Sequence, residues 1–303
     1  MNLNLQLLCL QAIPKLYKKF RLQKEYIDPR ELYGKSPNHF IKACKLAQKL
    51  FYELSSKYGL TLLDIYHNSD IGMERLKVVE EIKVEENDIV LDIGCGRGYS
   101  TIAFALRTWE VYAIDLMNGI ERKGWWRNFK EIISLLGLEN RVYGIRANSI
   151  KLPIRNFFKV IAFIHSIRNF GSEKLILQAL KETRKFMSSE GRVVVVENLP
   201  IAKNKSQEAH LKMYYCKTRY VSSEHYYFSL LKLLNLVEKA GFKNINLKIL
   251  DLNLSSSPPY FYPRVSYLKN NKEIQEKYEE AIEMIKKYGV VSPPTLILVA
   301  DNI

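Results

Sequence analysis

The run Ile89-Val90-Leu91-Asp92-Ile93-Gly94-Cys95-Gly96-Arg97-Gly98 constrains this chain more than any other segment. A short apolar stretch rich in β-branched residues carries one carboxylate and then breaks into three glycines at alternating positions. The apolar stretch predicts a buried parallel strand. The glycines predict a tight turn whose backbone lies against a ligand, because side chains there would collide with it. Tyr99 to Leu106 then reads as the helix that starts at the turn. A strand, a glycine-rich turn and a helix N-terminus together form a nucleotide-binding entry.

Two ligand classes compete for such a turn, and a purely structural glycine turn is the third possibility. The dinucleotide fingerprint is G-x-G-x-x-G. Here the third glycine comes one residue early, and Tyr99 stands where that fingerprint wants Gly. The spacing Asp-x-Gly-x-Gly-x-Gly resembles instead the first motif of class I S-adenosylmethionine (SAM) dependent methyltransferases. That resemblance implies that the turn with Asp92, Gly94, Gly96 and Gly98 packs against the amino-acid end of S-adenosyl-L-methionine.

The downstream spacing agrees with it. Val111 to Asp115 is a second short strand ending in a carboxylate, about twenty residues past the first glycine, where an acid can accept both ribose hydroxyls. Leu116 follows it. Arg141 to Ser149 reads as a third strand, and the resemblance implies that Asn148, with Ser149 beside it, meets the adenine amino group. Val160 to His165 and Arg192 to Glu197 supply a fourth and a fifth strand. Helical patterns at Trp126–Leu136 and Ser172–Met187 separate them. Strands alternating with helices predict an α/β fold with helices on both sheet faces. The resemblance covers roughly residues 70–254 plus a final strand near 294–302. It implies a Rossmann-like seven-stranded methyltransferase sheet.

Residues 1–85 predict a mostly helical N-terminal cap on a SAM-binding domain of residues 86–303. Ser36-Pro37 starts a helix that Gly59 ends, and Asp70 to Ile82 forms another. In residues 1–24, Leu3, Leu7, Leu10 and Tyr17 share a face and Lys15, Lys18, Lys19, Arg21 and Lys24 cluster behind it. That pattern suits either peripheral contact with an anionic membrane or docking on the protein's own cap. The net charge of +14 invites a nucleic-acid partner, but the lysines are spread along the whole chain and no RNA-binding motif accompanies them. Cys9, Cys44, Cys95 and Cys216 lie far apart without metal or disulfide spacing, so no metal site is expected and a reducing cytoplasm suits them. No apolar run reaches the length of a membrane span and the N-terminus has no basic signal-peptide region. Nothing in the sequence fixes an oligomeric state.

The acceptor belongs beyond the carboxyl ends of the strands. There the chain has His165-Ser166-Ile167-Arg168-Asn169-Phe170, with Glu197 at the end of the fifth strand. Arg168-Asn169 and Glu197 resemble the ubiquinone/menaquinone biosynthesis C-methyltransferases, although His165-Ser166 replaces that group's Phe-Gly. The resemblance favours a small organic, lipid-soluble or quinone-like acceptor. His165, Arg168, Asn169 and Glu197 are the candidate catalytic residues. His165 is the first choice of base and His225 the second, since imidazole titrates near neutrality. Two inserted segments, about 201–224 and 255–293, read as long loops over the pocket. They bring Tyr214, Tyr215 and Tyr220, and Tyr260, Phe261 and Tyr262. The alternatives are an RNA or protein methyltransferase and a non-enzymatic SAM-binding regulator.

Overall fold

A computed structural model describes residues 3–302, apart from 118–123, 156, 222–227 and 256–270. Seven strands form one sheet: β1 (Ile89–Ile93), β2 (Glu110–Asp115), β3 (Val142–Arg146), β4 (Phe158–Ile164), β5 (Met187–Asn198), β6 (Lys243–Leu250) and β7 (Thr295–Asp301). Their order is β3-β2-β1-β4-β5-β7-β6. The first five are mutually parallel, and β7 runs antiparallel between β5 and β6. The strand order reverses between β1 and β4, which opens a crevice at their carboxyl ends.

Alternate side chains of each strand point to opposite faces, and both faces are apolar. Val90, Val111, Val160, Val194 and Ile297 join one core. It also holds α5 (Tyr99–Ala105), α6 (Trp125–Leu135) and the helices that precede β1. Leu91, Ile114, Ile161, Val193 and Leu298 join the other core, under α7 (Glu173–Arg184) and α9 (Leu230–Lys239).

The N-terminal region is helical as expected, with α1 (Leu3–Lys19), α2 (Pro37–Tyr58), α3 (Leu62–Asn68) and α4 (Asp70–Ile82). Ser36 and Gly59 flank α2, and Gly59 takes the left-handed conformation that ends a helix. The sequence reading passed over α3, although Thr61 and Asp64 form a reciprocal capping box at its start.

Of the two expectations for residues 1–24, the first helix, α1, shows docking on the protein's own core over most of its length. Leu5, Leu7, Leu8, Leu10, Ile13 and Leu16 are buried, and so are Asn4, Gln6 and Gln11. Residues 4–13 are all buried, so this part of the helix is covered on every side, whereas Lys18 and Lys19 in its last turn are exposed. Its buried polar side chains find partners: Gln6 donates to Gln48 (2.9 Å), and Gln11 accepts from the Ile71 amide (3.2 Å). Among the described residues no helix is long and apolar enough to cross a membrane.

The two inserted segments are also corrected. Instead of long loops they contain α8 (Lys205–Val221) and α10 (Lys272–Tyr288). Ala209 and Met213 on one, and Ala281, Ile282 and Ile285 on the other, repeat at helical spacing and bury a third small core with Tyr33. Asn271 caps α10 by accepting from the Ile274 amide.

Candidate functional site

The glycine turn is held from below. Ser100 and Thr101, in the first turn of α5, donate to Asp92 Oδ2 at 2.8 and 2.7 Å. Asp92 Oδ1 is buried with no hydrogen-bond partner among the described residues. Burial pushes this carboxyl up to about 6 against those two hydroxyls and the Arg75 charge. Asp92 therefore anchors the helix start and stands under the turn rather than lining the cleft. The glycines are required in part by the protein itself, which departs from the expected ligand-only reason. A Cβ on Gly94 would come within 2.5 Å of Ser166 Cβ, and one on Gly98 within 2.7 Å of the Phe129 ring. Above the turn the Arg97 guanidinium lies 4.9 Å from the Trp125 ring centre, and Asn4 of α1 donates to the Arg97 carbonyl at 3.1 Å.

Asp115, at the end of β2, accepts from the Gly96 amide (2.9 Å) and the Met117 amide (2.7 Å). It thereby ties the glycine turn to the second strand. A cleft of about 740 Å³, mouth included, opens from this point. Its lining unites Gly94, Asp115, Leu116, Asn148 and Ser149, five of the eight expected cofactor residues. Ile114, Ala147, Ile150, Ser166, Phe170 and Leu175 complete it and were not foreseen. Asn169, expected at the acceptor, lies in this wall too. Mostly apolar walls with a few polar groups at fixed places suit a small ligand with a flat ring and a polar tail.

A second cluster lies just past the ends of β4 and β5. His165 follows β4 in a left-handed backbone conformation (φ 51°), rare for a residue with a Cβ. Strain of this kind collects at functional sites. Its amide donates to the Val196 carbonyl (2.8 Å), and its Nε2 lies 2.7 Å from Glu74 Oε1 on α4. The His165 side chain is 6% exposed and Glu197 is fully buried, with 3.9 Å between Nδ1 and Oε2. Arg168, on the short 3-10 turn Ile167–Asn169, meets Glu197 through both its amide (3.4 Å) and its guanidinium (3.3 Å). Tyr214 of α8 has its ring centre 6.0 Å from the Arg168 guanidinium.

Burial pushes the His165 imidazole down to about 4, against the pull of Glu74, so the ring is neutral at pH 7. Burial also raises Glu197, against the Arg168 charge. Glu74 goes the other way: despite its burial, the Arg75 guanidinium 2.5 Å away and the bond to His165 hold it well below the usual carboxylate range.

The structure thus brings together His165, Arg168 and Glu197, expected as one catalytic group, with Tyr214, expected over the pocket. Tyr215 is 37% exposed and stands beside Lys277, outside the cluster. Its side chain alternates away from Tyr214 on the same helix. His225 and Tyr260 lie outside the described residues, as do Phe261, Tyr262 and the side chain of Tyr220. Glu74 and Arg75 were missed. The only available signal was an adjacent acid–base pair within a predicted helix, which more often faces water.

Residues 69–247, more than half of the chain, match the methyltransferase domain family. A Pyrococcus furiosus protein named "Probable ribosomal RNA small subunit methyltransferase A" is 31% identical over 124 residues. That match spans 39% of this chain and 41% of the relative, so less than half of either. Among solved structures, a cyclopropane-fatty-acyl-phospholipid synthase-like protein from Lactobacillus casei superimposes with a TM-score of 0.61 at 17% identity, covering 78% of this chain and 92% of that one. The [4+2]-cyclase SpnF aligns with a TM-score of 0.50 at 17% identity, covering 78% and 81%. At these identities the two structures establish a shared fold.

Proposed function

The chain belongs to the methyltransferase domain family, its cofactor is S-adenosyl-L-methionine, and on that premise we propose that it methylates a small organic acceptor held between β4, β5 and α8. The residues fit the cofactor. Asp115, Asn148 and Ser149 offer polar contacts along the apolar cleft, and Asp92, beneath the glycine turn, holds the start of α5 through Ser100 and Thr101. When bound, the cofactor supplies an electrophilic methyl group, so the chain must position the acceptor, exclude water and manage a proton.

One observation carries the choice of a small acceptor: the enclosure of the polar cluster. His165 is 6% and Glu197 0% exposed at their side chains, under α4 and α8. A polymer could not bring its backbone to such a cell without the helices parting, whereas a small, lipid-soluble or quinone-like molecule could be engulfed. Arg168 and Tyr214 would orient it, and His165 would take its proton. The four cysteines are free and buried, which suits a reducing cytoplasm.

A second reading, an RNA substrate, draws on the name of the Pyrococcus relative and on the charge of +14. Labelled methyl transfer from S-adenosyl-L-methionine into fractionated cell extract separates the two. Label in the small-molecule fraction is the expected result; label confined to RNA or protein overturns the proposal.

A further inference from the structure

We propose that Glu74, on helix α4, is a positioning residue that fixes the His165 tautomer, with the proton on Nε2 and the lone pair of Nδ1 turned toward the acceptor's O–H or N–H. This rests on the reading of His165 as part of the acceptor site.

The geometry is specific. Glu74 Oε2 is taken by the Arg75 guanidinium at 2.5 Å. Glu74 Oε1 accepts from Thr295 at 3.3 Å and faces His165 Nε2 at 2.7 Å. Thr295 is itself fixed, since Asn198 donates to its hydroxyl at 3.1 Å. An ionised carboxylate only accepts, so the nitrogen facing it must carry the hydrogen. A neutral imidazole has one N–H, and Nδ1 is left bare. His165 Nδ1 is buried and has no hydrogen-bond partner among the described residues. A buried lone pair without a donor costs free energy, and an acceptor O–H or N–H would satisfy it.

The charged and titratable groups around the imidazole come from three elements. They are Glu74 and Arg75 on α4, Arg168 on the 3-10 turn, and Glu197 on β5. For the transfer to balance, the acceptor oxygen or nitrogen gains the methyl group, the methyl–sulfur bond breaks with its pair left on sulfur, and the acceptor's O–H or N–H bond breaks with its pair left on the acceptor and its proton moving to Nδ1. The imidazolium so formed lies between the Glu74 and Glu197 carboxyls, and it returns the proton to water after product leaves. The arrangement selects acceptors that hold an ionisable O–H or N–H near the Arg168 guanidinium.

The test is nitrogen-15 NMR of histidine-labelled protein at pH 7 with S-adenosylhomocysteine bound, with His165 assigned by comparison with His165→Gln. The wild type is expected to show a neutral ring protonated at Nε2. In Glu74→Gln the amide oxygen must serve Arg75, so the amide nitrogen faces His165, and the tautomer should invert to Nδ1–H. A wild-type ring protonated at Nδ1, or charged at pH 7, overturns the proposal. So does a Glu74→Gln spectrum with the wild-type tautomer. Calorimetry with S-adenosylhomocysteine runs alongside and should differ less than threefold between wild type and Glu74→Gln. Loss of this binding in both proteins would instead strike the cofactor reading, leaving the wild-type tautomer to judge Glu74 by itself.

Discussion

Replacing Asp92 by Asn should make the protein more stable near neutral pH and poorer at holding S-adenosyl-L-methionine. The buried Asp92 carboxyl is raised to about 6, against an ordinary 3.8, with burial as the main cause. Between those two values the folded chain holds a proton that the unfolded chain has lost. Asp92 therefore favours the fold fully below about 3.8, and that contribution disappears as pH rises through about 6. At pH 7 to 8 the carboxylate opposes folding by about 3 kcal/mol, taking about 1.4 kcal/mol per tenfold change in proton affinity. Asn keeps an oxygen for Ser100 and Thr101, which now donate at 2.8 and 2.7 Å. Its amide nitrogen replaces Oδ1 in a place without a partner and forfeits about 1–2 kcal/mol. The net expectation is a gain of about 1–2 kcal/mol at pH 7.5, shrinking to zero or reversing below pH 4. Urea unfolding of both proteins from pH 4 to 8 measures it directly. Calorimetry should show affinity for the cationic cofactor falling a few-fold, because the ionised carboxylate beneath the glycine turn no longer attracts positive charge across it. A destabilisation that is equal at every pH would refute the reasoning, since it would mean that Asp92 is not a raised carboxyl.

Other outcomes are expected at nearby positions. Asp115→Ala removes the acceptor for the Gly96 and Met117 amides, so cofactor affinity should drop by about 1–3 kcal/mol in calorimetry and the melting temperature should fall as well. Gly96→Val forces a β-branched residue into a left-handed backbone (φ 53°), and should abolish cofactor binding in the same assay. Leu8→Ala, in the buried first helix, should cost about 2–5 kcal/mol in urea unfolding, while wild type should not co-sediment with anionic vesicles through that helix. Arg168→Ala should leave S-adenosylhomocysteine affinity nearly unchanged and cut turnover on the identified acceptor by about 10²–10⁴-fold; a fall in melting temperature with turnover per folded molecule preserved would mark Arg168 as structural.

How much of this could be read from the chain depends on how far the informative contacts reach. The strand-turn-helix at Ile89–Tyr99, the alternation of Val90 with Leu91 and of Val193 with Val194, and the caps Ser36 and Gly59 are local, and local patterns reveal their elements. Asp115, Asn148 and His165 were legible because a parallel sheet places every strand end on one rim, so position in a strand predicts position in space. The first helix was open to two readings because Lys18 and Lys19 make its last turn polar and exposed; Leu5, Leu8 and Ile13, on its other sides, were the sign that the rest of it is covered. The inserted segments misled because the masking effect of interspersed Lys and Tyr hid the helical spacing of Ala209 with Met213 and of Ala281 with Ile285. Glu74 was invisible for a different reason: apart from its neighbour Arg75 its partners are His165 and Thr295, 91 and 221 residues away, and an adjacent acid–base pair does not distinguish it from a solvated acid.

That last contact changes how the N-terminal region relates to the sheet. A cap that only covered a cleft would meet the domain through apolar side chains, and much of this one does, in the core shared by Leu8, Phe51, Val78 and Val160. Three polar contacts go further. Asn4 binds the backbone of the glycine turn, Tyr66 donates to the Tyr99 carbonyl at 2.5 Å, and Glu74 binds His165. Each ties a separate cap helix, α1, α3 or α4, to the turn, to the first helix of the domain or to the strand end that forms the candidate site. Buried polar contacts of this kind contribute little net stability compared with apolar packing, but they fix relative position closely. The cap is therefore built to set the geometry of the site as well as to shield it. Displacement of α4 by an ångström would lengthen the 2.7 Å contact between Glu74 and His165, whereas Asp115 is held by the Gly96 and Met117 amides, which do not belong to the cap.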